Sequence, residues 1–149
     1  MTEPFLRELW ERKAAHERGE ERGERREQRA VRIYHIIKRE AEKKPELLRS
    51  LKQVEEKILR YNIAVDKLSL GRLEEDIETI QESDRQRRLA HNALESWLNL
   101  LARQFVKFHL SNSWRDEIGL EREAVGEWAC KVAKFIRKQR EEIWSNLKS

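Results

Sequence analysis

Seven apolar residues, Leu47, Leu51, Val54, Ile58, Tyr61, Val65 and Leu68, follow one another at intervals of 4, 3, 4, 3, 4 and 3 residues. This is the heptad signature of a long helix: steps averaging 3.5 residues keep every side chain on one stripe, whereas a strand would divide them between its two faces. A second series, Leu70, Leu73, Ile77 and Ile80, resumes in the same register at Leu94, Leu98, Leu101, Phe105 and Phe108. Five Gly and two Pro in 149 residues leave too few turn formers for a sandwich or barrel. The expectation is an all-α protein, a helical bundle of four to five helices with long heptad-like helices.

Charged residues make up 40% of the chain and hydrophobic ones 38%. A chain of this length forms one domain by default and buries a sizeable core without staples. Cys130 is the single cysteine, so no internal disulfide can form and a reducing compartment is expected. No stretch approaches the roughly 18 apolar residues of a membrane span, and the N-terminus already carries Glu3, Arg7 and Glu8. These features predict a cytoplasmic protein without a membrane partner. Charge is uneven along the chain: residues 31–60 carry a net +4, residues 61–84 −5 and residues 85–115 +5, while both ends are neutral. Adjacent antiparallel helices that neutralise one another explain such blocks, and so does a basic face for nucleic acid.

Two parts are expected. Residues 1–30 hold a short helix after Pro4, with Phe5, Leu6, Leu9 and Trp10 on one side, followed by a tether rich in Arg and Glu. Residues 14–30 contain no large apolar side chain, which predicts a stretch that lines no core and is poorly ordered in the isolated monomer. Residues 31–149 form the bundle. Its first helix ends at Lys44, because Pro45 disfavours helical geometry in the residue before it, and Pro45 suits the first turn of the next. In the second series Asp84, Arg87 and His91 occupy seam positions, and Ser83 with Gln86 has capping-box spacing. A break near Ser83 is therefore expected; if the helix runs through, those three side chains must be paired or solvated. Residues 108–119 read as a loop, and the last helix is expected to start near Glu121, with one stripe from Val125 to Leu147.

The run Asp84, Arg85, Gln86, Arg87, Arg88, Leu89, Ala90, His91, Asn92, Ala93, Leu94 resembles a family of small bacterial all-helical proteins of unknown function, in which Asp-x-x-Arg-Arg-x-Ala-His-(Asn/Asp)-Ala-Leu opens a long helix. Pro45 to Leu48 with Glu55, and Arg122 to Ala129, resemble that family's second and last helices. The likeness covers roughly residues 31–140 and departs from the family's small or aliphatic residues at Glu95 to Trp97. It implies a helical fold and no particular activity.

Asp84, Arg87, Arg88, His91 and Asn92 are spaced to share one helical face and form the best candidate site. A histidine can move a proton and an arginine can stabilise a phosphate. The plainer reading is a helix-start aspartate, surface arginines and a His91–Asn92 bond between helices. Arg85 and His91 also match the Arg-then-His spacing of helical ribonucleases of the HEPN class. Arg29 with His35 and Arg103 with His109 match equally, so the pattern carries little information. A basic face of Arg85, Arg87, Arg88, Arg103, Lys107 and Arg115 with Trp114 would bind RNA or DNA, Trp114 being the aromatic expected at the surface and Trp97 the one expected in the core. Cys130 reads as a small buried hydrophobe, and His35 as packed or half-exposed. No metal, cofactor or small-molecule ligand is expected. The leading expectation is a non-enzymatic interaction module with Phe5, Leu6, Leu9 and Trp10 as its docking handle. Its partner is another protein or a second copy, and the seams close either a homodimer or a monomeric bundle.

Overall fold

The structure, a computed structural model, describes residues 25–148. Phe5, Leu6, Leu9, Trp10 and most of the tether thus lie outside the described residues. Helix α1 covers residues 25–41, followed by α2 (Pro45–Glu74), α3 (Ile77–Lys107), α4 (Ser113–Ile118) and α5 (Arg122–Lys148). The fold is an all-α bundle.

Each helix is explained by its own apolar spacing. Ala30, Ile33, Tyr34, Ile37 and Ala41 of α1 recur at helical intervals and are all buried. Residues 25–30 of the Arg/Glu tract are therefore helical, and Ala30 lines the core: its carbonyl accepts from Trp128 Nε1 at 3.2 Å. Lys44 adopts extended geometry and Pro45 begins α2. Along α2 the heptad stripe is buried at Leu47, Leu51, Val54, Ile58, Tyr61 and Leu68, with Val65 half-buried. Leu94, Leu98, Leu101 and Phe105 of α3 face it, and Val125, Trp128, Ala129, Val132 and Ile136 of α5 close the core. Ile58, at the centre of this seam, is 0% exposed within one chain.

The expected break at Ser83 does not occur. Helix α3 runs unbroken from Ile77 to Lys107, and the chain turns eight residues earlier, at Glu75 and Asp76. Asp76, not Asp84, caps the helix: its carboxylate accepts from the Thr79 backbone N–H and, at 2.6 Å, from the Thr79 hydroxyl. Gln86 is not part of a capping box and instead donates to Glu82 at 2.9 Å. The Asp84–Leu94 run consequently sits inside α3 rather than opening it. Continuity is affordable because the polar seam residues are all accommodated, Asp84 and Arg87 by pairing with each other and His91 by the Arg122 carbonyl, while residues 69–82 at the end of the α2–α3 hairpin form a largely exposed arm. The same geometry exposes Leu70, Leu73 and Ile77, which the register had placed with the core row.

The arm's turn is a Schellman motif, with Asp76 N–H bonded to Gly71 carbonyl and Glu75 N–H to Arg72 carbonyl. Glu75 occupies its left-handed position at φ 56°, where a side chain costs about 1–2 kcal/mol. Gly71 lets the turn fold back closely, since a Cβ there would meet Thr79 Cγ2 at 3.1 Å. Glu75→Gly should stabilise the protein by about 1 kcal/mol and raise its Tm by about 2–4 °C. A calorimetric scan showing a lower Tm would refute this account of the turn.

Residues 108–119 are only partly loop. His109 ends α3 in the left-handed region, and α4 then folds Trp114 and Ile118 onto the core. The last helix starts at Arg122, one residue from the expected position.

Candidate functional site

Three helices meet around His91: Tyr61 comes from α2, Asp84, Arg87, His91 and Asn92 from α3, and Arg122 and Gly126 from the start of α5. His91 is 3% exposed, and its Nε2 lies 2.8 Å from the Arg122 carbonyl oxygen. A carbonyl only accepts, so Nε2 carries a proton and donates it to this bond. Nδ1 is buried without a hydrogen-bond partner, and Glu95 Oε1, at 3.8 Å, is too distant to serve. The Tyr61 ring meets the imidazole edge-on at 5.6 Å between centroids.

Arg87 donates to Asp84 Oδ1 from Nη2 at 2.8 Å, and its guanidinium lies near the Tyr61 hydroxyl. Arg88 Nε approaches Asp84 Oδ2 at 3.3 Å. The hydrogen bond from Arg87, aided by both guanidinium charges, holds the Asp84 carboxyl below the usual carboxylate range. Burial pushes the Tyr61 phenol up, and the nearby Arg87 guanidinium opposes it. Asn92 Oδ1 accepts from the Arg122 guanidinium. Chemically this arrangement is a clamp: the charged groups are engaged with one another, and the imidazole is sealed between helices. Arg85 and His91, six residues apart, point about 120° from each other around α3. Arg85 is exposed beside Glu82 while His91 is buried, so the structure does not bring the two together.

The basic–aromatic face is not assembled either. Trp114 is 2% exposed, packed edge-on against Phe105 at 5.3 Å, which corrects its expected place at the surface. The cause is its i,i+4 spacing with Ile118, an apolar pair that pulls α4 inward. Arg115 is buried as well, donating from Nε to Asn99 Oδ1 and from Nη1 to the Gly119 carbonyl, both at 2.9 Å. Lys107 pairs with Glu46 at 3.2 Å, tying the end of α3 to the start of α2. Arg103 is exposed. Trp97 is half-buried against the core. Cys130 is half-buried rather than fully enclosed, and burial pushes its thiol up. His35 is exposed, its ring edge-on to Phe135 at 5.1 Å.

The surface with binding character lies elsewhere. Along the α2–α3 pair, lined by residues of these two helices, runs a groove of about 650 Å³. Its floor and walls are Ile63, Ala64, Leu89, Ala90 and Ala93, and Lys57, Arg60 and Lys67 form its α2 edge. Ile63 is 44% and Leu89 54% exposed, a high value for apolar side chains beside a core. Lys57, Arg60, Ala64 and Lys67 recur at intervals of 3, 4 and 3, the signal in the sequence for this second stripe, which the stronger heptad seam overshadowed. Among the described residues no group of His, Cys, Asp and Glu could hold a metal ion, and no helix is long and apolar enough to cross a membrane. Comparison with protein-family models, with curated proteins and with solved structures gave no match in any of the three.

Proposed function

We propose that the chain is a non-enzymatic helical interaction module whose α2–α3 groove receives an amphipathic helix of a protein partner. The observation that carries this reading is the groove itself, where exposed Ile63 and Leu89 stand over a floor of small alanines beside a basic edge. Small floor residues leave room for large apolar side chains, the helix-in-groove mode of recognition, and the edge of Lys57, Arg60 and Lys67 favours acidic residues flanking the partner's stripe. Free Cys130 supports a cytoplasmic setting. The likeness of the Asp84–Leu94 run to small bacterial helical proteins fits the same reading and adds no activity to it.

The test uses a fluorescein-labelled 14-residue helical peptide with leucines at i, i+3, i+4 and i+7 and glutamates beside them. Anisotropy should give a Kd on the order of 100 μM, about −5.5 kcal/mol. Ile63→Glu and Leu89→Glu should each weaken it at least tenfold while leaving the helical melting transition in place, since both side chains are surface-exposed. Equal affinity in these variants, or no binding to the unaltered protein, would remove the groove as the site. Labelled single-stranded RNA is the second arm, because the same three basic residues could track phosphates. A roughly twentyfold loss between 50 and 200 mM salt, expected for about three phosphate contacts, together with its abolition by Lys57→Ala, Arg60→Ala and Lys67→Ala, would replace the protein-partner reading with a nucleic-acid one.

A further inference from the structure

The groove needs an occupant, and the chain carries one of matching chemistry. We infer that Phe5, Leu6, Leu9 and Trp10 of the same chain dock in the α2–α3 groove and compete with the external helix for it; this rests on the groove being the binding site.

Two observations support the assignment. Phe5 and Leu9, and Leu6 and Trp10, are each four residues apart, a spacing that on a helix would bring all four to one side. Such knobs suit a floor in which Ala64, Ala90 and Ala93 leave space between the walls of Ile63 and Leu89. Reach is ample. Fourteen residues, 11–24, separate Trp10 from the first residue of α1, a span of up to about 50 Å when extended, and α2, the groove's own helix, is about 45 Å long. A connection of this length gives the handle a millimolar effective concentration at the groove. A handle that binds its groove with a Kd on the order of 100 μM is then docked about ten times out of eleven, and an outside helix binds about tenfold more weakly than to a vacant groove.

The experiment uses the full chain in two forms. With Phe5→p-benzoylphenylalanine, irradiation should cross-link position 5 within one chain, at monomer mass, to peptides spanning residues 57–67 or 82–93. With Leu6→Glu and Leu9→Glu together, the acidic Leu/Glu peptide should bind about tenfold tighter than to the unaltered protein, and addition of Ile63→Glu should abolish that gain. Helical melting by circular dichroism confirms that each form is folded. Cross-links outside the groove, or groove cross-links only at dimer mass, overturn docking within the chain. Equal peptide affinity with and without the handle substitutions overturns it too, while leaving the groove intact as a partner site. A peptide that binds neither form overturns the groove and the handle assignment together.

Discussion

Ile58→Asp should unfold the protein outright: helical ellipticity collapses, no cooperative melt remains, and light scattering finds no folded species of half the original mass. Ile58 is 0% exposed inside a single chain, within a cluster that draws on every helix. Removing its side chain costs about 2–5 kcal/mol through lost burial and the cavity left behind. An aspartate at that point adds several kcal/mol more, because it is enclosed by apolar groups with no cation to pair it. The sum reaches the whole stability of a typical domain, about 5–15 kcal/mol. Ile58→Val is the control and should cost only about 0.5–1.5 kcal/mol. A folded Ile58→Asp chain of halved mass would mean instead that the seam joins two copies. Unchanged mass with unchanged melting would contradict both arrangements.

Gly126→Ala should lower stability by about 1–3 kcal/mol, the opposite of what helix propensity alone predicts. In an exposed helix interior the same change gains about 1 kcal/mol. Here a Cβ at residue 126 overlaps the Tyr61 hydroxyl and presses on its ring, and that ring is held in turn by the His91 imidazole. Neither neighbour is the loose end of a flexible side chain, so α5 must move off α2. Each kcal/mol should appear as a fall in Tm of about 2–4 °C. Tyr61→Phe removes the overlapping oxygen, and in the double variant it should recover much of the loss, a coupling measurable in a double-mutant cycle. A Gly126→Ala protein that melts higher than the parent would show that α5 tolerates the extra atom and that the three-helix junction is looser than its geometry.

The stripe from Leu47 to Leu68 and the one from Leu94 to Phe105 were legible because a long buried helix repeats its core contact every 3.5 residues, and no other local structure generates that spacing. Pro45 marked the start of α2 for a similarly local reason: its ring restricts the residue before it. The position of the α2–α3 turn was not legible in the same way. Asp76 with Thr79 caps a helix, but Ser83 with Gln86 has equivalent capping spacing, and three polar seam residues favoured the later point. The choice between them depended on how far the core reaches along the hairpin, a length set by α1, α4 and α5 packing across it.

The candidate site divided along the same line. The pairing of Asp84 with Arg87 and Arg88 follows from helical spacing, as does the separation of Arg85 from His91. That Nε2 of His91 would meet the Arg122 carbonyl thirty-one residues away, or that Gly126 would leave room for Tyr61, follows from no local pattern. The α2–α3 groove shows the division most plainly. Its residues recur on one face of each helix, but whether a face made of alanines, one isoleucine, one leucine and three cations is covered or open depends on which side α5 occupies. The sequence by itself therefore determined the helices, their long seams and the local ion pairs, because these arise between residues a few positions apart. Only the tertiary structure decided the turn, the burial of Trp114 and Arg115, and the open groove, because each depends on which distant segments compete for the same surface.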